Sequence, residues 1–180
     1  KWTQTKNFKY NEKIYLMIKK ILIITFIYLL SFVHAFSAGS DGDGGTSKVK
    51  TNYEKAVTHI KSAKKYEKKG KLERAKKKYE KAQKLLLKSN IKKPNKPDTL
   101  NYLGFTTRKL GDYKNGEKYY LQGLALDPNH VGINEYLGEL YVATNRVDLA
   151  KERLEILAKC NCEEYSELKQ IIAGTKKSKY

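Results

Sequence analysis

Two cysteines, three histidines and a long run of lysines are the residues whose types could carry chemistry. Cys160 and Cys162 stand one residue apart. Cys160 falls at an apolar helix position that Leu85 and Leu126 occupy elsewhere, which predicts burial. An oxidising compartment would favour a bridge between the two, although a ring closed over one residue is strained. A disulfide and two separate thiols therefore both fit, while a zinc site lacks nearby ligands to complete four. His34 lies in an apolar stretch, His59 at a helix packing position and His130 in a turn. None has a Cys, Ser or carboxylate at a spacing that argues for nucleophilic or acid–base work. Gly42, Gly44 and Gly45 make no phosphate loop, because no Lys-Ser/Thr pair follows them. Asp41 and Asp43 start a calcium loop that fails, with Gly45 at the third ligand position and Asn52 at the twelfth. No catalytic residue, cofactor or metal is implied, and the expected class is a binding protein rather than an enzyme.

Charge is placed unevenly. Residues 48–97 hold 19 Lys and Arg against 4 Asp and Glu, whereas residues 98–180 hold 12 of each. A local field of that size attracts anions. The stretch KSAKKYEKKGKLERAKKKYEKAQKLLLK puts Lys64, Lys68, Lys76, Lys77 and Lys78 on one basic surface. Such a surface reads as a solvated helix face or as a dock for an anionic membrane or an acidic partner. Nucleic acid fits less well, since arginine, the better phosphate fork, is scarce.

The elements that position these residues come next. Met17 opens MIKKILIITFIYLLSFVHAFSAGS. Lys19 and Lys20 form a basic n-region, Ile21 to Phe32 an apolar core, and Val33-His34-Ala35 a cleavage site after Ala35, with Ala38 as a second exit. This layout reads as a secretory signal over residues 17–35, or as an N-terminal anchor. Twelve apolar residues fall short of the roughly 20 that span a bilayer. Residues 1–16 then read as upstream sequence outside the protein, and 36–48, rich in Gly, Ser and Asp, as a flexible linker.

Residues 49–175 repeat. Gly70, Gly111 and Asn145 mark three turns. Five residues after each come Ala75, Gly116 and Ala150; nine after come Tyr79, Tyr120 and Leu154. Seven before each lie Ala63, Gly104 and Gly138. Small residues recur where two helices approach closely, and large ones where a gap is filled. Each copy reads as two helices and a tight turn, over about 56–89, 97–130 and 131–162. In the second copy the helices run over about Pro97–Leu110 and Tyr113–Leu126, with Pro128 ending the second. Seven extra residues around Ile91–Lys96 separate copies one and two, which predicts a gap or tilt there. Glu163–Ala173 reads as a capping helix whose Tyr165, Leu168 and Ile171 or Ile172 cover the last repeat.

On Leu103-Gly104, Gly111, Gly116, Tyr120, Gly123 and Pro128 the chain resembles the tetratricopeptide repeat family. Leu137-Gly138, Tyr141 and Ala150 match in copy three, and Tyr66, Gly70, Ala75, Tyr79 and Ala82 in copy one. Leu100, His59 and Asn134 depart from the family's first aromatic. The link from HVGINEYLGELY to CNCEEYSELKQII resembles small exported tetratricopeptide proteins of Gram-negative bacteria. The resemblance implies an all-α fold, three helix-turn-helix repeats stacked as a short solenoid with a C-terminal capping helix. It implies a scaffold for another protein or peptide, in the periplasm or anchored to the inner membrane facing it. It places partner contacts on the inner face: Ile60, Lys64 and Glu67, then Asn101, Phe105 and Arg108, then Glu135, Glu139 and Val142. The family's carboxylate clamp is not preserved, since Ile60, Tyr102, Gly132 and Tyr136 stand at its positions. Nothing in the pattern specifies an oligomeric state.

Overall fold

The computed structural model describes residues 17–20 and 49–178. The expected upstream segment 1–16, most of the signal and all of the linker lie outside the described residues. Met17–Lys20 is helical and exposed. Among the described residues no helix is long and apolar enough to cross a membrane.

The unit over 48–180 is built from seven helices: α1 Asn52–Glu67, α2 Leu72–Lys92, α3 Pro97–Lys109, α4 Tyr113–Leu126, α5 Val131–Ala143, α6 Val147–Leu157 and α7 Glu163–Ile172. Consecutive helices pack as pairs, α1 with α2, α3 with α4 and α5 with α6, and each pair packs on the next. α7 lies on both α5 and α6. The fold is all-α, a short solenoid of helix pairs with a capping helix.

The three turns share one geometry. Gly70, Gly111 and Asn145 adopt φ of +67°, +95° and +57°. At each, the N–H of the turn residue donates three residues back, to Glu67, Arg108 and Val142. The next N–H donates five residues back, from Lys71 to Tyr66, Asp112 to Thr107 and Arg146 to Tyr141. This double closure satisfies helix-end carbonyls and needs a left-handed residue, which Gly supplies freely and Asn tolerates. Gly174 repeats it after α7, with Thr175 N–H donating to Gln170.

The seven extra residues open no gap. α2 is 21 residues long against 14 for α4, so the excess goes into α2 itself. Seven residues are close to two turns, so the lengthened helix leaves on the same face. α2 packs directly on α3, and Gln83 donates to the Thr107 hydroxyl at 2.8 Å. The first pair therefore runs over 52–92 rather than 56–89. α6 stops at Leu157, so Cys160 sits half-buried in the following turn instead of deep in a helix interface.

Small residues set the helix crossings. A Cβ on Gly104 would meet the Tyr120 ring at 2.5 Å, which places α4 hard against α3. Gly138 makes the matching approach to a different partner. Its added Cβ would meet Leu168 of α7 at 2.5 Å, not a residue of α6. Leu168 and Ile171 are buried as the capping expectation requires, while Tyr165 and Ile172 are half-buried.

Candidate inner-face binding site

α1, α3 and α5 are the inner helices, and side chains from all three meet. Phe105 of α3 lies against Tyr136 of α5, ring centroids 5.0 Å apart, and edge-on to Tyr79 at 5.8 Å. The Lys64 ammonium sits 4.7 Å from the Phe105 centroid and donates to the Tyr136 hydroxyl at 3.2 Å. Lys64 is thus half-buried among aromatic rings and does not share the outer basic surface expected for it. Lys68, Lys76 and Lys77 are exposed, and Lys78 is half-buried.

The expected inner-face residues are corrected in the same way. Ile60 belongs to the core of the first pair. Asn101, Phe105, Arg108, Glu135 and Glu139 are all buried, and Val142 is half-buried. Positions four and three apart on one inner helix face the next inner helix, and three closely stacked pairs leave little open surface there. Asn101 lies against Gly132, whose added Cβ would be 2.8 Å from its amide nitrogen. Arg108 donates to the Tyr136 carbonyl at 2.6 Å and pairs with Glu139 at 3.3 Å, both side chains fully shielded. Carboxylate oxygens of Glu135, Glu139 and Glu167 come within 4.8 Å of one another. Arg108 matches Glu139, and Lys176 matches Glu167 at 2.7 Å, so this chain's own cations serve that cluster. Burial pushes the Tyr136 and Tyr120 hydroxyls well above their usual range, with the neighbouring glutamates adding to it.

What remains open on this side is a groove of about 730 Å³. Lys64 and Glu67 of α1 and Lys68 just after it line the groove, with Phe105 and Lys109 of α3. Leu72, Glu167 and Ser178 also line it. Glu67 pairs with Lys109 at 2.5 Å and accepts from the Tyr79 hydroxyl at 2.8 Å. Burial, and then that bond, push the Tyr79 hydroxyl pKa far above its ordinary range. The groove offers cations and an exposed apolar rim residue, Leu72, over a floor where Lys64 covers the buried Phe105 ring, which suits a peptide segment better than a small polar substrate. Of the partner residues expected from sequence, Phe105, Lys64 and Glu67 reach it. Lys109 and Glu167 were missed, because a solenoid's lining depends on how its capping helix folds back.

The histidines have structural positions. The Nδ1 atom of His130 accepts from the Ile133 N–H at 3.2 Å and so caps α5, leaving Nε2 to donate to Asp98 at 3.2 Å. His59 is half-buried on α1. Cys160 and Cys162 are joined as a disulfide, Cα atoms 5.2 Å apart.

Residues 98–130 match the family model for the tetratricopeptide repeat. They are α3 and α4 with their flanking turns, the middle pair of three alike. Over that stretch the chain carries a match to the tetratricopeptide repeat. No curated protein matches it. Among solved structures it is similar to the first tetratricopeptide repeat domain of Spaghetti (RPAP3) bound to the HSP90 peptide SRMEEVD. That likeness has 19% identity and a TM-score of 0.49, covering 71% of this chain and 97% of the other. It is also similar to the Yersinia enterocolitica type III secretion translocator chaperone SycD, at 17% identity and a TM-score of 0.49. That match covers 66% of this chain and 86% of SycD. At this level neither bears on what this chain binds.

Proposed function

We propose that this protein is a non-catalytic interaction scaffold that holds a short peptide segment of another protein in the groove between α1 and α3. One observation carries the reading: two successive inner helices share a single groove with Lys68 and Leu72 exposed at its rim. An extended segment with one apolar side chain and one carboxylate matches that chemistry. The Met17–Ala35 layout supports export, with the periplasm as the site of action and an inner-membrane anchor as the alternative. The mature N-terminus is then Phe36 or Gly39, which mass spectrometry of the native protein reads directly.

The test of the groove is selection of peptides from a random display library on the full chain. The winners are then measured against a Lys68→Glu/Leu72→Asp variant. A loss of about tenfold or more supports the groove, as expected when a rim charge is reversed and an apolar contact removed. Winners that bind both forms equally overturn it. A second reading, electrostatic docking of the first pair on an anionic surface, is favoured by the exposure of Lys68, Lys76 and Lys77. It predicts vesicle binding that salt abolishes and that these three lysines control.

A further inference from the structure

A second cavity lies well away from the inner groove. α1 starts, α2 ends and α3 starts at the same end of the molecule. Between them lies a pocket of about 540 Å³. Lys50 enters it from the segment before α1, and Lys92, Lys93 and Lys96 from the end of α2 and the link to α3. Three of these four lysines belong to the stretch that holds the seven extra residues. Ser89 and Tyr53 also line the pocket, as does Thr51, whose hydroxyl donates to Glu54 at 3.0 Å. Its one acidic residue, Asp98, is engaged by His130 at 3.2 Å.

The backbone favours the same sign of ligand. α1 is closed by a capping box in which the Thr51 N–H donates to Glu54 at 2.7 Å and the Glu54 N–H to Thr51 at 3.2 Å. α3 has no such cap: Lys96 at the N-cap position makes no side-chain bond, and Pro97 follows it. The Asp98 and Thr99 N–H groups have no acceptor within the helix, and the positive end of α3, with the Asp98 carboxylate in its first turn, opens beside the lysines. Asn95, at φ +58°, and the prolines on either side of its link hold that wall in place.

We propose that this pocket binds a phosphate monoester. Four ammonium groups answer the double charge of such a group, and the hydroxyls and N–H groups can donate to its three terminal oxygens. The pocket volume lies in the range of small-ligand sites. The inference is independent of the peptide groove. The two sites share no lining residue, and they lie at opposite ends of α1, a 16-residue helix roughly 24 Å long.

Two probes distinguish a soluble source from a lipid headgroup: glycerol 3-phosphate, and phosphatidylcholine vesicles with and without phosphatidic acid. Each is titrated against the full chain in about 150 mM salt, where the Debye length is about 8 Å. The comparison variants are Lys92→Gln/Lys93→Gln/Lys96→Gln, and Lys68→Gln/Lys76→Gln/Lys77→Gln at the other end of the pair. All six side chains are exposed, and circular dichroism checks that both variants fold. The first variant should lose about tenfold or more in affinity for the phosphate probe, and the second should stay within about twofold. Binding of glycerol 3-phosphate with that dependence supports a soluble ligand. Binding only of phosphatidic acid vesicles with that dependence supports a lipid headgroup. Equal losses in the two variants, or no binding of either probe, overturn the proposal.

Discussion

The first helix pair and the two that follow handle charge and close approach in opposite ways. Apart from Lys64, which lies among the inner rings, α1 and α2 keep most of their lysines exposed and meet through Ala56, Ala63, Ala75 and Ala82. α3, α4 and α5 are neutral in sum, yet they bury Arg108, Glu135 and Glu139 and meet through Gly104, Gly116 and Gly123. The same repeat template thus supports a shell of solvated charge over an alanine interface, or an inner ion pair within glycine-spaced helices. The first arrangement tolerates surface change. The second concentrates both stability and specificity in a few side chains, because a buried charge is costly without its partner.

Breaking the Arg108–Glu139 pair should give the largest effect. Arg108→Met leaves Glu139 shielded beside its lost partner and should cost about 3–5 kcal/mol, measured by chemical denaturation. Adding Glu139→Leu should restore much of that loss, and a purely additive double-mutant cycle would show that the pair is not coupled. In the first pair, Lys76→Gln should change stability by no more than about 0.5 kcal/mol.

Close approach provides the next contrast. Gly104→Ala drives a methyl into the buried Tyr120 ring and should cost about 1–3 kcal/mol, despite alanine's better helix propensity. Gly138→Ala meets the methyl ends of Leu168, which can turn aside, so its net cost should be smaller. Equal losses in the thermal midpoints of these two variants would contradict the different partners of the two glycines.

Reducing the Cys160–Cys162 bridge should cost about 1–2 kcal/mol, less than a bridge over a long loop, because so short a ring removes little unfolded-state entropy. A midpoint unchanged by reductant would show that the turn between α6 and α7 is held by packing alone.

The smallest effect belongs to His59 in the basic first pair. Burial, with Lys78 and Lys81 close by, lowers its pKa from the ordinary 6.5. A depressed value means that the folded state resists protonation. Its contribution to stability is present above pH 6.5 and is lost as pH falls through the folded value. NMR titration should place His59 below 6.5, and His59→Gln should flatten the stability profile in that range. A titration at or above 6.5 would remove the lysine field from the account.

The sequence by itself determined the helix pairs and their turns. Gly70, Gly111 and Asn145 announce the left-handed closures, Pro97 starts α3, and the spacing of Ala and Gly gives the crossings. These signals are local, because each depends on one residue's backbone freedom or on helical period. The charge asymmetry was also legible, since it needs only counting. Only the tertiary structure decided where those charges go. Lys64 reads as surface and lies among rings, and Arg108 and Glu139 read as a partner-facing row and form a buried pair. The seven extra residues read as a gap and become two more turns of α2. Side-chain environment is set by neighbours distant in sequence, here α5 against α3 and α7 against α5. No helical period along one segment encodes the angle at which the next arrives.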